Sequence, residues 1–229
     1  MRIHTGTSGY AYKEWKPSFY PQDLSSTAML RYYGERLGTV EINNTFYRMP
    51  SKKVLQGWGT EVPASFRFAV KATRRVTHFK RLRDVGTELD FLFGNLAALE
   101  ARLGPVLFQL PPKFGCDLPL LQDFLAQLPP QVQHVLEFRD ASWYDDTVYA
   151  ALRDSGVALC AMEDEDEEAR VVPTARFGYF RLRRGDYGEK ALRAWAQRIQ
   201  SQPWEEAYVY FKHETEAPNL ALAFGASAA

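Results

Sequence analysis

Eight short apolar segments recur along the chain, and most are separated by segments with helical spacing. They are rich in Val, Ile, Phe and Tyr, which favour strands. The eight lie at residues 2–8, 39–47, 66–73, 105–111, 134–139, 157–163, 177–183 and 207–213. The clearest helix follows the third segment, where apolar residues recur at steps of three and four: Leu89, Leu92, Phe93, Leu96, Leu99 and Leu103. The same reasoning predicts helices near residues 26–37, 118–128, 145–155 and 189–201.

Strand and helix patterns alternate along the whole chain, without a linker, a repeat or a low-complexity segment. Such alternation predicts a parallel sheet with helices outside it. Eight strands predict a TIM (β/α)₈ barrel, formed by one domain over residues 1–229. One unit is short, because residues 164–176 are acidic and then contain a proline, and we expect a loop there. The alternative is an open doubly wound sheet, although no GxGxxG motif follows the first strand.

Six predicted strands have one apolar face and one face that becomes polar toward the carboxyl end. Because side chains alternate across a strand, the apolar face is expected to contact the outer helices and the polar face to point inward. The inward polar residues are Glu41, Asn43, Lys71, Gln109, Glu137, Arg139, Arg181, Arg183 and Lys212. Active sites of TIM barrels lie at this end of the strands. The pattern therefore predicts a shared polar site, the alternative being strands with one hydrated face.

The charge of this predicted site is mostly positive, although the chain as a whole has 28 basic and 28 acidic residues. Two carboxylates, Glu41 and Glu137, face five cations. The five are Lys71, Arg139, Arg181, Arg183 and Lys212. Since buried charges are costly unless they are paired, this excess predicts an anionic small molecule, with a phosphate ester as the first choice. An internal network of salt bridges without any ligand is the alternative.

Composition and cysteine use indicate an ordinary globular protein, with 46% hydrophobic and 24% charged residues. Cys116 and Cys160 lie far apart and outside any CxxC motif, which does not suit a disulfide framework. The beginning of the chain lacks the apolar segment of a signal peptide, and no stretch approaches the roughly 18 apolar residues of a membrane helix. We therefore expect a cytoplasmic protein with no membrane partner.

Six segments, in order, resemble the DUF72 (YecE-like) family. They are GTSGYAYKEWKPSFYP, TVEINNTFYRMPS, FAVKATRRVTHFKRL, GPVLFQLPPKF, EFRDASWY and YVYFKHE. The resemblance covers about residue 5 to residue 224 and implies a TIM barrel, but it implies little about activity. It adds four family-matching positions to the predicted ligand site, which are Tyr10, Tyr47, Arg48 and Trp143. The segments RLRRGDY and YFKHE replace the RLHG and FNN of many relatives and make that end more basic.

If the protein is an enzyme, which stays open here, a hydrolase or an isomerase is the predicted class. Glu41 and Glu137 are then the general acid–base candidates, and His78 is the candidate proton shuttle. Lys71 is a candidate for Schiff-base chemistry, because neighbouring cations lower the pKa of a lysine. Asn43 would orient the substrate together with Gln109.

No cofactor is predicted, because the four histidines show no HExxH spacing and no cluster with acidic residues. A single divalent cation is left open as an alternative. It would be held by Glu41, Glu137 and either Glu163 or Asp164.

A second hypothesis is a nucleic-acid-binding or processing protein, by analogy with the endonuclease IV barrels. The segment KATRRVTHFKRLRD at residues 71–84 is strongly basic. Four aromatic residues of other loops are predicted to surround it: Trp15, Tyr20, Tyr47 and Trp143. Aromatic stacking combined with Arg and Lys binds single strands and flipped bases, but the zero net charge favours a hydrated loop instead. A third hypothesis is a non-catalytic module that binds a ligand.

Overall fold

A computed structural model describes residues 1–166 and 168–228 of the chain. It contains a closed barrel of parallel strands, in which each strand pairs with the next one along the chain and the last pairs with the first. The strands are β1 (Arg2–Ser8), β2 (Thr39–Ile42), β3 (Arg67–Lys71), β4 (Leu103–Gln109), β5 (His134–Glu137), β6 (Ala158–Glu163), β7 (Phe177–Leu182) and β8 (Glu206–Phe211). The predicted TIM barrel is confirmed.

Seven α-helices lie in the described part of the chain. They are α1 (Met29–Gly34), α2 (Lys52–Glu61), α3 (Gly86–Leu96), α4 (Leu118–Leu125), α5 (Asp146–Asp154), α6 (Glu189–Gln200) and α7 (Ala217–Ala228). None of these helices is long and apolar enough to cross a membrane. Between β6 and β7, the described residues 164–166 and 168–176 contain no helix, so the short unit is confirmed.

Two helices, α2 and α7, are absent from the sequence-based prediction. In α2 only Leu55 and Gly59 are buried, so the helix lacks a recognisable apolar stripe. In α7 half of the residues are Ala or Gly, and these small residues give little contrast between its two faces. The helix α2 begins at Ser51, whose Oγ accepts a hydrogen bond from the Val54 amide.

The second strand is shorter than predicted, because it ends at Ile42 and a 3₁₀ turn follows over Asn44–Phe46. The hydroxyl of Thr45 holds this turn against the barrel. It donates to the Ile42 carbonyl at 3.1 Å and to the Lys71 carbonyl at 2.7 Å. Asn43 therefore lies just past the strand rather than within it, at the level of the strand ends.

The predicted alternation of faces is confirmed by two separate groups of buried side chains. The outer group joins the helices to the outward faces of the strands and includes Val40, Phe68 and Phe108. The inner group fills the barrel itself. Its members are Ala69, Leu107, Val135, Ala158, Cys160, Met162, Phe177, Tyr179, Tyr208 and Tyr210. The barrel is thus a packed core below its carboxyl end.

In β1, where the sequence left the alternation ambiguous, His4, Gly6 and Ser8 face inward. The His4 ring stacks on the interior Tyr208 with centroids 4.6 Å apart. The glycine is required by a close approach, because a Cβ atom at Gly6 would lie 1.9 Å from the Thr39 carbonyl oxygen. Any larger residue there would push β1 and β2 apart.

We expect Gly6→Ala to lower the free energy of unfolding by about 3 kcal/mol or more, the upper part of the range for overpacked cores. The matched control is Gly94→Ala on the exposed face of α3, where an added Cβ meets nothing within 4 Å. That change should raise stability by about 0.5–1 kcal/mol, because alanine is the better helix former. Urea denaturation of both variants measures this, and a Gly6→Ala protein as stable as the wild type would contradict the close approach.

Candidate functional site

The carboxyl end of the barrel is organised around the guanidinium of Arg181, which lies between two buried glutamates. Its Nη1 donates to Glu137 Oε2 at 2.5 Å, and its Nη2 donates to Glu41 Oε1 at 2.9 Å. Arg181 is 2% exposed, Glu41 0% and Glu137 1%. Because β2, β5 and β7 are not neighbours in the barrel, these ion pairs connect three strands across its interior.

Both oxygens of the Glu41 carboxylate accept hydrogen bonds. Its Oε1 accepts from the Ser8 hydroxyl at 2.6 Å and from the Asn43 amide at 3.0 Å, besides Arg181. Its Oε2 accepts from the Tyr179 hydroxyl at 2.7 Å. Burial alone would raise the pKa of Glu41, but the charge of Arg181 and these hydrogen bonds outweigh burial and bring the pKa to about 2.

Glu137 is held in the same way by two arginines. Arg139 Nη2 lies 2.5 Å from Glu137 Oε1, as an ion pair whose angle falls outside hydrogen-bond geometry. Burial would raise the pKa of Glu137, but the charges of Arg181, Arg139 and Arg183 outweigh it and keep the pKa below its usual value. Arg139 lies two residues past the end of β5 and still points toward the barrel axis, as its alternation predicted.

The role of Glu41 and Glu137 as general acid and base stays a prediction, which these contacts do not favour. Both carboxylates are ionised at neutral pH, so neither has a proton to donate. A carboxylate with a pKa near 2 is also a poor base, and both side chains are closed off from solvent. Their contacts are those of groups that position Arg181 and Arg139.

Three further cations at this end have no carboxylate within 4 Å among residues 1–166 and 168–228. They are Lys71 at the end of β3, Arg183 just after β7 and Lys212 just after β8. Burial, followed by repulsion from nearby arginines, lowers the pKa of each of the three, and that of Lys71 falls to about 8. The cations therefore raise one another's energy.

Four arginines of the described structure have a buried Nε atom without a hydrogen-bond partner. Three of them, Arg139, Arg181 and Arg183, lie at this end of the barrel, and the fourth is Arg102. Buried donors are normally paired, and those left unpaired in a native protein require an explanation. Here the three unpaired donors of the cluster lie where the positive charges are concentrated.

Lys71 and His78 meet at one aromatic ring. The Lys71 ammonium lies over the face of Phe46, 4.1 Å from the centroid, and the His78 imidazole contacts the same ring edge-on at 4.9 Å. His78 Nδ1 lies 2.9 Å from the Thr77 hydroxyl. Burial, then the charges of Lys71 and two arginines, lowers the pKa of His78 below 6.5, so the imidazole is neutral at pH 7.

An open cleft of about 710 Å³ lies beside the cluster, between the loops that follow β1, β7 and β8. Arg183, Lys212 and Ser8 form part of its wall. Three glutamates also line it, Glu14, Glu165 and Glu214. The cleft has room for a metabolite-sized molecule.

The remaining predicted ligand residues differ in their burial and in their contacts. Gln109 is half-buried and paired in register with Glu137, so it faces the cluster. Tyr10 packs partly against the core, and its carbonyl accepts from the Tyr20 hydroxyl at 2.5 Å. Tyr47 is 70% exposed, and Arg48 beside it is also exposed.

The ligand contact of Trp143 stays a prediction, and the structure places this side chain in the core. The side chain is 0% exposed and stacks on Phe138 with centroids 4.8 Å apart. Its indole Nε1 donates to the Phe114 carbonyl at 2.5 Å, which satisfies its only polar group. Trp143 anchors the loop after β5 to the loop after β4.

The cation alternative is contradicted in its third ligand. Glu163 points to the outside of the barrel, where its Oε2 accepts from the Tyr187 hydroxyl at 2.6 Å and from Trp195 Nε1 at 3.1 Å. Asp164 Oδ1 accepts from the Asp166 amide in the loop beyond. Among the described residues there is no group of three or more His, Cys, Asp and Glu side chains that could hold a metal.

The predicted aromatic rim is also wrong in most of its members. Trp15 and Tyr20 are 1% and 0% exposed, like Trp143. The basic segment itself is partly neutralised, since Lys80 pairs with Glu88 at 2.8 Å and Arg83 pairs with Asp117 at 2.9 Å. Tyr47 and Phe79 are exposed, and the guanidinium of Arg74 lies over their rings at 5.4 and 5.1 Å.

Sequence reasoning missed two residues of the cluster. Ser8 was missed because small polar residues occupy both faces of β1. Tyr179 was missed although it lies two residues before Arg181, a spacing that predicts the same inward face. Its hydroxyl donates the hydrogen bond to Glu41 Oε2.

A family model described as "Protein of unknown function DUF72" matches residues 4–229. The chain belongs to the DUF72 family. UPF0759 protein YecE of Escherichia coli K12 is 28% identical over 134 residues, which cover 56% of this chain and 49% of YecE. UPF0759 protein YunF of Bacillus subtilis 168 is 27% identical over 156 residues, which cover 64% and 54%. The matched part of the chain thus spans about half the length of these curated relatives.

Solved structures of DUF72 proteins share the fold. A DUF72 family protein from Thermotoga maritima MSB8 superposes with a TM-score of 0.86 and 26% identity, covering 99% of this chain and 98% of that one. A DUF72 family protein from Enterococcus faecalis V583 gives a TM-score of 0.83 at 18% identity, covering 99% and 95%. The second likeness shows the fold alone.

Replacing Arg181 by Met in this DUF72 protein should lower the free energy of unfolding by about 3–5 kcal/mol at pH 7.5, because two carboxylates stay buried without their cation. In the wild type the folded-state pKa values of Glu41 and Glu137 lie below the unfolded value of 4.5, so their contribution persists above that pH and is lost toward pH 2. In Arg181→Met the folded-state pKa values rise, and stability should increase as the pH falls from 7.5 to 5.

The control for this prediction is Arg176→Met, at the opposite end of the same strand, where the arginine is exposed and its ion pair with Glu205 is loose at 3.7 Å. It should change stability by less than about 0.5 kcal/mol at both pH values. Urea unfolding at pH 7.5 and pH 5 measures all three proteins. If Arg181→Met unfolds like the wild type at both pH values, the ion pairs do not support the barrel end.

Proposed function

We propose that the barrel mouth binds a small anionic molecule, with a phosphate ester as the first choice. One observation carries this proposal. Two carboxylates, already engaged by Arg181 and Arg139, are surrounded by Lys71, Arg183 and Lys212, which have no acidic partner within 4 Å in the described structure. An anion in this position would relieve the repulsion that lowers the pKa of all three cations.

An internal salt-bridge network explains the arrangement less well. Such a network would need about as many carboxylates as cations, whereas five cations face two carboxylates whose positions are already taken. Holding like charges together without a counter-charge costs free energy. Proteins commonly retain such unfavourable arrangements at binding sites and catalytic sites. The unpartnered Nε atoms of Arg139, Arg181 and Arg183 support the same reading.

The two ends of the binding site can be assigned by their chemistry. Arg183 and Lys212 follow β7 and β8, where TIM barrels frequently bind phosphate groups, and both line the open cleft. The guanidinium of Arg183 offers a planar fork that matches phosphate or carboxylate oxygens. Asn43 and Gln109 would orient the rest of the ligand from β2 and β4.

If the bound molecule reacts there, Lys71 and His78 are the groups suited to exchange protons near neutral pH. Their pKa values are about 8 and below 6.5, respectively, whereas both glutamates stay ionised. This replaces the glutamate-based acid–base scheme within the same class of hydrolase or isomerase chemistry. A cytoplasmic location belongs to the proposal, and the free thiols of Cys116 and Cys160 support it.

Isothermal calorimetry at low ionic strength should detect binding of inorganic phosphate, AMP or a hexose phosphate. Arg183→Gln should weaken the binding of whichever probe binds by about ten- to one-hundred-fold, the value of one charge-assisted hydrogen bond. The control is Arg176→Gln at the other end of β7, which should leave affinity unchanged. Absence of binding by all probes, or equal losses in the two variants, would refute the proposal.

A weaker second candidate is single-stranded nucleic acid, favoured by one observation. Arg74 lies between the exposed rings of Tyr47 and Phe79, an arrangement on which a base could stack. This candidate requires binding of a labelled oligonucleotide that weakens steeply with added salt. No anisotropy change at low salt would remove it.

A further inference from the structure

We infer that Lys71 is a carbonyl-reactive lysine, whose amine forms a Schiff base with the aldehyde or ketone group of an anionic molecule held in the barrel mouth. This inference rests on the proposed function and deepens it, because it names the substrate class. That class is a small aldehyde or ketone that also carries a phosphate or a carboxylate.

The main chain of Lys71 is fixed where a reactive group would be needed. It is the last residue of β3, and its alternation with the interior Ala69 directs the side chain inward. Its carbonyl accepts from the Thr45 hydroxyl at 2.7 Å, and the next amide donates to the Leu107 carbonyl at 2.8 Å. The turn after β2 and the neighbouring strand β4 therefore hold the position of the amine's attachment point.

Among residues 1–166 and 168–228, the ammonium of Lys71 has no polar partner. Its Nζ lies over the face of the Phe46 ring and forms no hydrogen bond with any described residue. Lys80, in the following loop, shows the ordinary arrangement, since its Nζ donates to Glu88 Oε2 at 2.8 Å and to the Asp84 carbonyl at 2.6 Å. The two glutamates that could have paired with Lys71 are engaged by Arg181 and Arg139.

A lysine attacks a carbonyl only as the neutral amine, and the surroundings favour that form. Burial and the charge of Arg181 lower the pKa of Lys71 to about 8. At pH 8 about half of the Lys71 amines are then neutral, against about 0.3% for a lysine with the ordinary pKa of 10.5. The stacked aromatic ring keeps the amine partly desolvated.

The reaction balances with groups present at the site. The amine lone pair forms the C–N bond while the carbonyl π electrons move to oxygen. The nitrogen loses a proton and the oxygen gains one, which gives a carbinolamine. Loss of its hydroxyl as water, with a second proton transfer from nitrogen to that leaving oxygen, forms the C=N bond. His78, neutral and edge-on to the same Phe46 ring, is placed to carry these protons.

The cations explain why the carbonyl compound should be anionic. Arg183 and Lys212 line the open cleft beside the mouth and would hold a phosphate or carboxylate. The charges of Arg181 and Arg183 both act on the Lys71 amine, which shows that the two ends of the site are electrostatically coupled. An aldehyde without a charge would lack this second point of attachment.

The test uses the intact protein, pyridoxal phosphate as probe, reduction with borohydride and peptide mass mapping. We expect Lys71 to be labelled at least tenfold faster than the exposed Lys190, with half-maximal labelling near pH 8. Lys71→Arg should abolish the major adduct, and the matched control Lys190→Arg should leave it unchanged. Excess inorganic phosphate should slow labelling of Lys71.

Labelling spread evenly over the surface lysines, or labelling of Lys71 that reaches half its maximum only above about pH 10, would overturn the inference. The pH profile is measured on the wild type, so it decides the matter even if Lys71→Arg fails to fold. If calorimetry shows phosphate binding while Lys71 stays unlabelled, the Schiff base alone is wrong. If Lys71 reacts equally with pyridoxal and pyridoxal phosphate and phosphate does not bind, the anion site is wrong and the reactive amine stands.

Discussion

The buried guanidinium of Arg181 is the interaction on which the carboxyl end of this barrel depends. It bridges Glu41 and Glu137 and so joins three strands that are not neighbours in the sheet. Each of these charges would be costly alone in the interior, and removal of any one leaves an uncompensated charge. The hydrogen bonds from Ser8 and Tyr179 complete the set around Glu41.

The same interaction determines what the remaining cations can do. Because the two interior carboxylates are already paired, Lys71, Arg183 and Lys212 have no interior acid to neutralise them among the described residues. Burial, and then repulsion from nearby arginines, lowers the pKa of each, and in Lys71 this makes the neutral amine accessible. The structural ion pairs and the proposed ligand site are therefore two consequences of one distribution of charge, rather than two separate features.

Alternation of side chains made much of the barrel predictable from the sequence, because a period of two is preserved wherever a strand is buried on both sides. It correctly predicted that the side chains of Glu41, Lys71 and Arg181 point into the barrel interior. It failed in β1, where both faces carry small polar residues. It also could not distinguish a ligand-binding tryptophan from Trp143, whose burial depends on how two loops pack together.

The ionisation state of the two glutamates also could not be predicted from the sequence. A carboxylate inside a barrel is a plausible acid, base or structural partner, and the distance to a guanidinium decides among these. Carbon-13 NMR of the protein with labelled glutamate side chains, assigned with Glu41→Gln and Glu137→Gln, measures that state directly. The account predicts that Glu137 titrates below its usual pKa and that Glu41 titrates near pH 2. A carboxyl group of either residue that titrates between pH 5 and 7 would contradict it.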